Sequence, residues 1–302
     1  MFECKNEKIK VAIIYVNYNT LDELSASIES CSEDMDFYEI SFIIVDNNSK
    51  VQKFECIQKI TSCEVRVIQL KENIGFAAAN NIGIQFAKDK KLDCYLLLNC
   101  DTLLTHNYIK KLLYTLKSSD NPGIVTSRII YNFDKKSICY DGGTINKYKG
   151  SADIDNYMRT YLELDTNVIQ CTFASGCCML IPTSVNIKMS EDYFLYYEDS
   201  DFSIKMLENG YSIYVNREAI LYHTESVSTK KRSNLYTYYF VRNRLMFIKD
   251  DIVGIKKVVA YAYSLFWIIK KILMNVFCVK YTAIAILDFL LEKRGKKDST
   301  FR

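Results

Sequence analysis

The feature that most constrains the fold is a set of short apolar runs, three of which end abruptly in Asn or Asp. Aliphatic and β-branched residues dominate these runs, as expected of buried strands. The predicted strands span 9–19, 40–49, 64–70 and 94–101. Segments with helical spacing lie between or after them, within 20–31, 71–91 and 106–119. This alternation predicts an α/β fold with a mostly parallel central sheet flanked by helices.

The polar ends of three of these strands predict one shared crevice. Asn17, Asp46 and Asp101 each follow an apolar run. A buried carboxylate is costly unless something pairs with it. Open α/β sheets bind ligands at the carboxyl ends of their strands. We therefore expect these three side chains to lie together at a ligand site.

The loops after the strands exclude two common nucleotide sites. No GxGxxG follows the first strand, where VNYNTLDEL stands instead, and no GxxxxGK[ST] occurs. Without glycine-rich backbone amides, a bound diphosphate needs another counter-charge. A divalent cation held by Asp101 would supply it.

Charge divides the chain into two predicted parts. From residue 226 onwards there are sixteen Lys and Arg against five Asp and Glu, so residues 1–225 are net acidic. We predict one domain over 1–225, interpreted below as catalytic from a family resemblance, and a basic amphipathic helical extension over 226–302. The eleven cysteines are scattered without a CxxC pair, and the charged N-terminus shows no signal peptide. Both features favour a reducing cytosol.

A carboxylate cluster in EDYFLYYEDSDFSIKML (191–207) has two interpretations. It is either a solvated helix start near Ser200, since acidic residues favour the first turn, or a catalytic site. His223 follows a predicted strand over 212–222 and is interpreted either as a buried polar residue or as a site residue.

Seven segments in register resemble the family-2 glycosyltransferases of GT-A fold, in particular their bacterial rhamnosyltransferase-like branch. The segments are VNYNTLDEL, IIVDNNS, ENIGFAAANNIG, LLLNCD, SGCCMLIP, YFLYYEDSDFSIKMLENGY and YYFVRNRL. The resemblance implies transfer of a sugar from a nucleotide-sugar to an acceptor hydroxyl, with inversion at the anomeric carbon.

The resemblance also implies roles for individual residues. Positions matched to donor binding are Asn17, Tyr18, Asp46, Asn73, Asn99 and Asp101. Asp101 would be a ligand of Mg²⁺ or Mn²⁺, and His223 would complete the metal site. Glu198 and Asp199 match the Glu-Asp pair whose Asp is the usual catalytic base. Gly75 and Gly176 are interpreted as backbone requirements near the donor.

Two departures from the family pattern keep a second function class open. Cys100 stands where the family often has Pro, and Asn99 replaces the first carboxylate of an Asp-x-Asp motif. The alternative is a non-catalytic nucleotide-sugar-binding or scaffold subunit of a glycan-assembly complex. The preferred prediction is an inverting hexosyltransferase that uses dTDP-rhamnose or a UDP-sugar in bacterial surface polysaccharide assembly.

The apolar tail is predicted to form helices that lie in a membrane interface. Its longest charge-free run, 258–269, has 12 residues, and a spanning helix needs about 20. We expect a cytoplasmic protein, peripheral on the inner face of the cell membrane, acting on a glycan or lipid-linked glycan. The alternatives are helices packed on the catalytic domain or on a second subunit, which would give a homodimer. Lysines that alternate with aliphatic runs argue against nucleic acid as a partner.

Arg242 and Arg244 in YYFVRNRLMF have two interpretations. They form either a basic helix face or a contact with the diphosphate of the donor or of a lipid-linked acceptor.

Overall fold

The computed structural model of the chain describes residues 8–31, 37–51, 53–224 and 233–297. The strands are β1 (Ile9–Asn17), β2 (Tyr38–Asp46), β3 (Glu64–Gln69), β4 (Cys94–Leu98), β5 (Thr102–Leu104), β6 (Pro122–Tyr131), β7 (Ile138–Tyr140), β8 (Gly143–Asn146), β9 (Ser151–Ile154), β10 (Val168–Cys171), β11 (Cys178–Pro182) and β12 (Ser212–His223). The helices are α1 (Leu21–Ser30), α2 (Ile57–Ile60), α3 (Phe76–Asp89), α4 (Tyr108–Ser118), α5 (Glu198–Glu208), α6 (Asn234–Asp251), α7 (Ile255–Leu273) and α8 (Val279–Leu290).

One mixed sheet organises the molecule and confirms the predicted fold class. Its main path runs β10-β12-β6-β11-β4-β1-β2-β3. The half built from β3, β2, β1 and β4 is parallel, as predicted from the first hundred residues. Strand β11 is antiparallel to both β4 and β6, and this makes the sheet mixed. The parallel half brings the carboxyl ends of β1, β2 and β4 to one edge.

Helices cover both faces of the sheet, which explains why the strands lack polar alternation. Along β1, Ile13 and Tyr15 belong to the core beneath α1 and α4, whereas Ala12 and Ile14 belong to the core beneath α3 and α5. Helix α3 lies so close to β1 that a Cβ on Gly83 would approach Ile14 to 2.5 Å. Strands buried on both faces read as continuous apolar runs.

Local details differ from the sequence-based expectations in two places. Helix α5 begins at Glu198, two residues before the predicted start near Ser200. Thr20 stands immediately before α1, where Thr commonly caps a helix, but its side chain makes no capping hydrogen bond. Its hydroxyl donates instead to Asn17 Oδ1 at 3.0 Å, because the end of β1 offers an acceptor.

The C-terminal helices pack on the body through α6. Met246, Phe247 and Ile248 of α6 belong to the main core. The inner faces of α7 and α8 pack on the other side of α6, through Ile268 and Ala285 among others. Within the described part of the chain, no helix has the length and apolar character needed to cross a membrane.

The candidate active site

The carboxyl edge of β1 and β2 forms a buried polar cluster. Asn17 and Asp46 are fully buried, and Asn17 Nδ2 donates to Asp46 Oδ1 at 2.9 Å and to Ser49 Oγ at 3.0 Å. Asp46 Oδ2 accepts from the Ser49 backbone N–H at 3.3 Å. The side chain of Tyr18 lies beside this edge and is 43% exposed. The edge therefore combines a fixed acidic group with a free aromatic ring.

A second polar turn lies next to it and contains the two predicted residues Asn73 and Gly75. Asn47 Nδ2 donates to Asn73 Oδ1 at 3.0 Å and to the Gly75 carbonyl at 3.2 Å. Gly75 has φ = +92°, and a Cβ there would lie 2.6 Å from the Phe194 carbonyl oxygen. Only glycine meets both requirements, so the backbone interpretation of Gly75 has a physical cause. Asn47 and Ser49, which follow β2, are buried residues that hold these turns.

The triplet Asn99-Cys100-Asp101 follows β4 at the same edge. The Cys100 thiol donates to the Val16 carbonyl at 3.4 Å, in the space where the family often has Pro. Asp101 is 9% exposed, and its Oδ1 lies 3.2 Å from His223 Nε2. The antiparallel pairing of β12 with β5 sets this contact, because His223 is opposite Thr102.

The electrostatics of His223 depend on this neighbour. Burial alone would lower its pKa, but the hydrogen bond and charge of Asp101, together with the Cys139 thiol, raise the pKa to about 10. Cys139 carried no sequence signal as a site residue, because only the pairing of β6 with β7 brings it here.

Asp101 Oδ1 and His223 Nε2, 3.2 Å apart, are close enough to serve as neighbouring ligands of a divalent metal ion. Because His223 binds a metal only through a neutral ring nitrogen, metal binding there would have to displace the proton that Asp101 stabilises. Among the described residues, no group of three or more His, Cys, Asp or Glu side chains is arranged to hold a metal ion. Such a metal would take its remaining ligands from a diphosphate and water, as Mg²⁺ commonly does.

The predicted catalytic pair begins α5. Asp199 is partly exposed; its Oδ1 accepts from the Ser200 backbone N–H at 2.8 Å, and its Oδ2 accepts from the Gly176 backbone N–H at 3.3 Å. Glu198 is buried, and its Oε2 has no hydrogen-bond partner in the part of the chain that the structure describes. Burial raises the pKa of both carboxyls, and repulsion from Asp199 raises the Glu198 pKa further. Glu198 is thus favoured in its protonated form, whereas hydrogen bonds favour the ionised form of Asp199.

The short loop before β11 joins the two halves of the site. Gly176 donates its N–H to Asp199, and the adjacent Cys177 accepts a hydrogen bond from the Asn99 backbone N–H at 3.0 Å. Neighbouring Cα atoms are about 3.8 Å apart, so the Asn99-Cys100-Asp101 triplet and Asp199 are anchored within one peptide unit of each other. The loop therefore holds these two acidic segments side by side.

Arg242 and Arg244 do not form a basic helix face, because both are buried. Arg242 stacks on the rings of Tyr238 and Tyr239, about 5 Å from each centroid. Arg244 donates to Ser264 Oγ at 2.8 Å. Both guanidinium groups have partners within the protein, so neither is directed at a diphosphate.

The central mixed sheet flanked by helices, with further helices at the C-terminus, is the GT-A class of nucleotide-sugar transferase folds. Among solved structures, GalNAc-T7 with UDP, GalNAc and Mn²⁺ aligns with a TM-score of 0.66 at 13% identity, over 94% of this chain and 58% of that one. The sequence profile described as glycosyl transferase family 2 matches residues 12–189. The chain therefore belongs to glycosyl transferase family 2.

Two curated relatives extend over most of the chain. The low-salt glycan biosynthesis hexosyltransferase Agl10 of Haloferax volcanii is 25% identical over 249 residues, which cover 78% of this chain and 74% of the relative. The dTDP-rhamnosyl transferase RfbF of Shigella flexneri is 24% identical over 255 residues, which cover 79% of each. These similarities support the rhamnosyltransferase-like branch predicted from the sequence.

Proposed function

We propose that the protein is an inverting glycosyltransferase that moves a hexose from dTDP-rhamnose or a UDP-sugar to an acceptor hydroxyl. The observation that carries this proposal is the loop at 176–177, which anchors Asp199 and the Asn99-Cys100-Asp101 triplet side by side. The triplet can then bind the leaving diphosphate, through a metal ion on Asp101, while Asp199 takes the proton of the incoming alcohol. The raised pKa values of the Glu198 and Asp199 carboxyls also favour an enzyme over a scaffold subunit, because strongly shifted pKa values cluster at catalytic sites.

In this mechanism the buried edge of β1 and β2 binds the nucleoside, with Asp46 as hydrogen-bond acceptor and Tyr18 against the base. Mg²⁺ or Mn²⁺, bound by Asp101 and His223, would stabilise charge on the diphosphate. Asp199, partly exposed and oriented by Ser200 and Gly176, accepts the proton of the acceptor hydroxyl. The deprotonated hydroxyl oxygen attacks the anomeric carbon from the face opposite the diphosphate, which leaves with inversion of configuration. Glu198, as the protonated partner, keeps a second negative charge away from the base.

A donor panel with matched variants tests this proposal. Thermal shifts would be measured with UDP- and dTDP-sugars, with Mg²⁺, Mn²⁺ or chelator, and turnover by release of nucleotide diphosphate. We expect one donor class to stabilise the protein in a metal-dependent way, and we expect Asp101→Asn to remove that dependence. NMR of the product assigns the anomeric configuration, and a retained configuration would refute the inverting mechanism. Wild-type protein that binds donors but never transfers would favour the scaffold alternative.

We also propose that the enzyme works on the inner face of the cell membrane, where a lipid-linked glycan or other surface-polysaccharide intermediate is its acceptor. The support is the outward face of α7, where Ile255, Phe266 and Leu273 are 73%, 67% and 78% exposed. Lys256 and Lys270 flank this stripe and suit anionic headgroups. Lys257 and Lys271 are turned toward the protein, where Lys257 donates to the Lys249 carbonyl and Lys271 lies over Trp267.

Vesicle flotation tests this second proposal. Phe266→Ser with Leu273→Ser should release the protein from vesicles rich in phosphatidylglycerol, while Leu162→Ser, which changes a 65% exposed leucine elsewhere, should not. Point variants are preferable to truncation after Asp250, because the truncation would also remove Arg294 and Gly295, which contact Asp192 just before the catalytic pair. The stripe on α7 would instead be a subunit interface if the wild-type protein did not bind vesicles, formed a dimer, and became monomeric with the same two substitutions.

A further inference from the structure

The turn that leads into α5 holds two consecutive non-glycine residues in the left-handed region. Tyr196 has φ = 68° and Tyr197 has φ = 73°. Side chains with a Cβ disfavour this conformation, and it persists only where the surrounding structure holds it in place. Glu198 and Asp199 follow directly, so this turn decides where the catalytic pair points.

Asn243 of α6 holds this turn. Its Nδ2 donates to the Leu195 carbonyl at 2.8 Å and to the Tyr196 carbonyl at 3.0 Å. Asn243 is fully buried, so no water competes for these bonds. One carboxamide thus uses both of its N–H groups on two successive carbonyls of the strained turn.

The orientation of the Asn243 amide is itself fixed. Arg242 Nε donates to Asn243 Oδ1 at 3.0 Å, so the amide oxygen faces the guanidinium and the amide nitrogen faces the turn. Arg242 is locked in turn by its aromatic neighbours and by the Gly295 carbonyl, to which Nη2 donates at 2.7 Å. Both polar atoms of the Asn243 side chain are therefore hydrogen-bonded within the protein.

The same segment is held from the donor side. The Phe194 carbonyl accepts a hydrogen bond from the Phe76 backbone N–H at 3.0 Å, next to the constrained Gly75. Three successive carbonyls, at 194, 195 and 196, are thereby fixed by the donor-side turn and by α6. The Tyr197 ring completes the support, with Phe240 and Phe247 centroids 5.3 and 5.6 Å away.

We propose that Asn243 is a positioning residue for the transfer reaction: by bonding the Leu195 and Tyr196 carbonyls it fixes the turn that directs Asp199 into the crevice. The inference rests on the proposed function, in which Asp199 is the base. Asn243 is fully buried and bonds only protein atoms, so it would act on the reaction through the backbone of the turn. A misdirected base lowers the rate of the chemical step without weakening donor binding.

The test compares Asn243→Asp, which keeps the shape but removes both donors, with Thr237→Ala. Thr237 is a fully buried residue of the same helix whose hydroxyl bonds Ser233 and Cys278, away from the turn. Steady-state kinetics, nucleotide affinity, thermal unfolding and hydrogen exchange of the 194–200 backbone would be measured. We expect Asn243→Asp to lower kcat about 10- to 100-fold, with the donor KM and nucleotide Kd unchanged and faster exchange at 194–200. Thr237→Ala should lose comparable thermal stability yet keep its kcat and its protection at 194–200.

Equal kcat in the two variants, measured well below their unfolding temperatures, would overturn the proposal. If Asn243→Asp does not fold, Asn243→Ser retains one donor and should show an intermediate loss of kcat; full activity there would equally overturn it. Wild-type protein without transfer activity, or undiminished turnover in Asp199→Asn, would instead refute the proposed function. In that case the hydrogen-exchange rates at 194–200 in Asn243→Asp still show whether Asn243 holds the turn.

Discussion

Changing Glu198 and Asp199 separately to their amides tests the roles inferred for them at the start of α5, with Asp199 as the base and Glu198 as its protonated neighbour. In Asp199→Asn the retained oxygen still accepts from Ser200, at 2.8 Å in the wild type, but the new amide group faces the N–H of Gly176. One poor hydrogen bond costs about 1 kcal/mol, so thermal unfolding should shift by only a few degrees. Loss of a general base should nevertheless lower kcat by about 10²- to 10⁴-fold.

Glu198→Gln should behave differently, because it imitates a carboxyl that is already protonated. Burial and the neighbouring Asp199 raise the Glu198 pKa, so the folded protein holds a proton that the unfolded chain releases. Stability is then present at low pH and is lost as pH rises through the folded pKa. Glu198→Gln removes that loss, so it should raise the unfolding temperature at pH 8 and change it little at pH 4, with kcat near neutral pH largely retained.

The assay is initial-rate release of nucleotide diphosphate across pH, with donor affinity measured separately by calorimetry. Both variants should bind donor like the wild type, because neither side chain belongs to the edge of β1 and β2. If Glu198→Gln abolishes turnover while Asp199→Asn retains more than about a tenth of it, the roles are reversed and the electrostatic argument is wrong.

Three further outcomes follow from the geometry. Gly75→Ala places a Cβ 2.6 Å from the Phe194 carbonyl at φ = +92°, so it should cost at least about 2 kcal/mol and weaken nucleotide binding; unchanged affinity and thermal stability would contradict the close approach. Burial and repulsion from Asp201 raise the Asp251 pKa from 3.8 to about 7, so the free energy of unfolding falls as pH rises across that window. Asp251→Asn should therefore add about 1 kcal/mol at pH 8 but none at pH 3.5, and equal thermal unfolding shifts at the two pH values would contradict this. Asp141 is fully buried and bonds Arg128 Nε at 2.7 Å, so Asp141→Ala should cost about 3–5 kcal/mol in urea unfolding; a loss below about 1 kcal/mol would show that the buried ion pair is dispensable.

The parallel half of the sheet could be predicted because each of its strands is a local signal. A run such as 9–17 is apolar along its whole length and then stops at Asn17, and that pattern needs no knowledge of the rest of the chain. The direction of β11 could not be predicted. SGCCMLIP indicates a strand, but whether it enters parallel or antiparallel depends on the path from β6, which includes the four short strands β7 to β10.

The site shows the same division between local and distant signals. Asp46 and Asp101 mark strand ends, so their positions follow from the sheet alone. Contacts from distant segments carry no comparable signal: Asn243 reaches Leu195 across 48 positions of the chain, and nothing near either residue indicates the other. The two arginines beside Asn243 suggested a charged surface, because sequence shows charge but not the aromatic rings that enclose Arg242.

The backbone bond from Gly295 N–H to the Asp192 carbonyl, at 2.7 Å, has a consequence for biosynthesis. A nascent chain that has emerged from the ribosome only as far as residue 230 already contains every carboxylate of the site. It still lacks Asn243, which holds the turn before α5, and Gly295, which secures the start of that segment. Translation thus supplies the acidic residues of the site about sixty-five residues before the last contact that holds the turn, so the turn can be fixed only after the C-terminal segment has been synthesised.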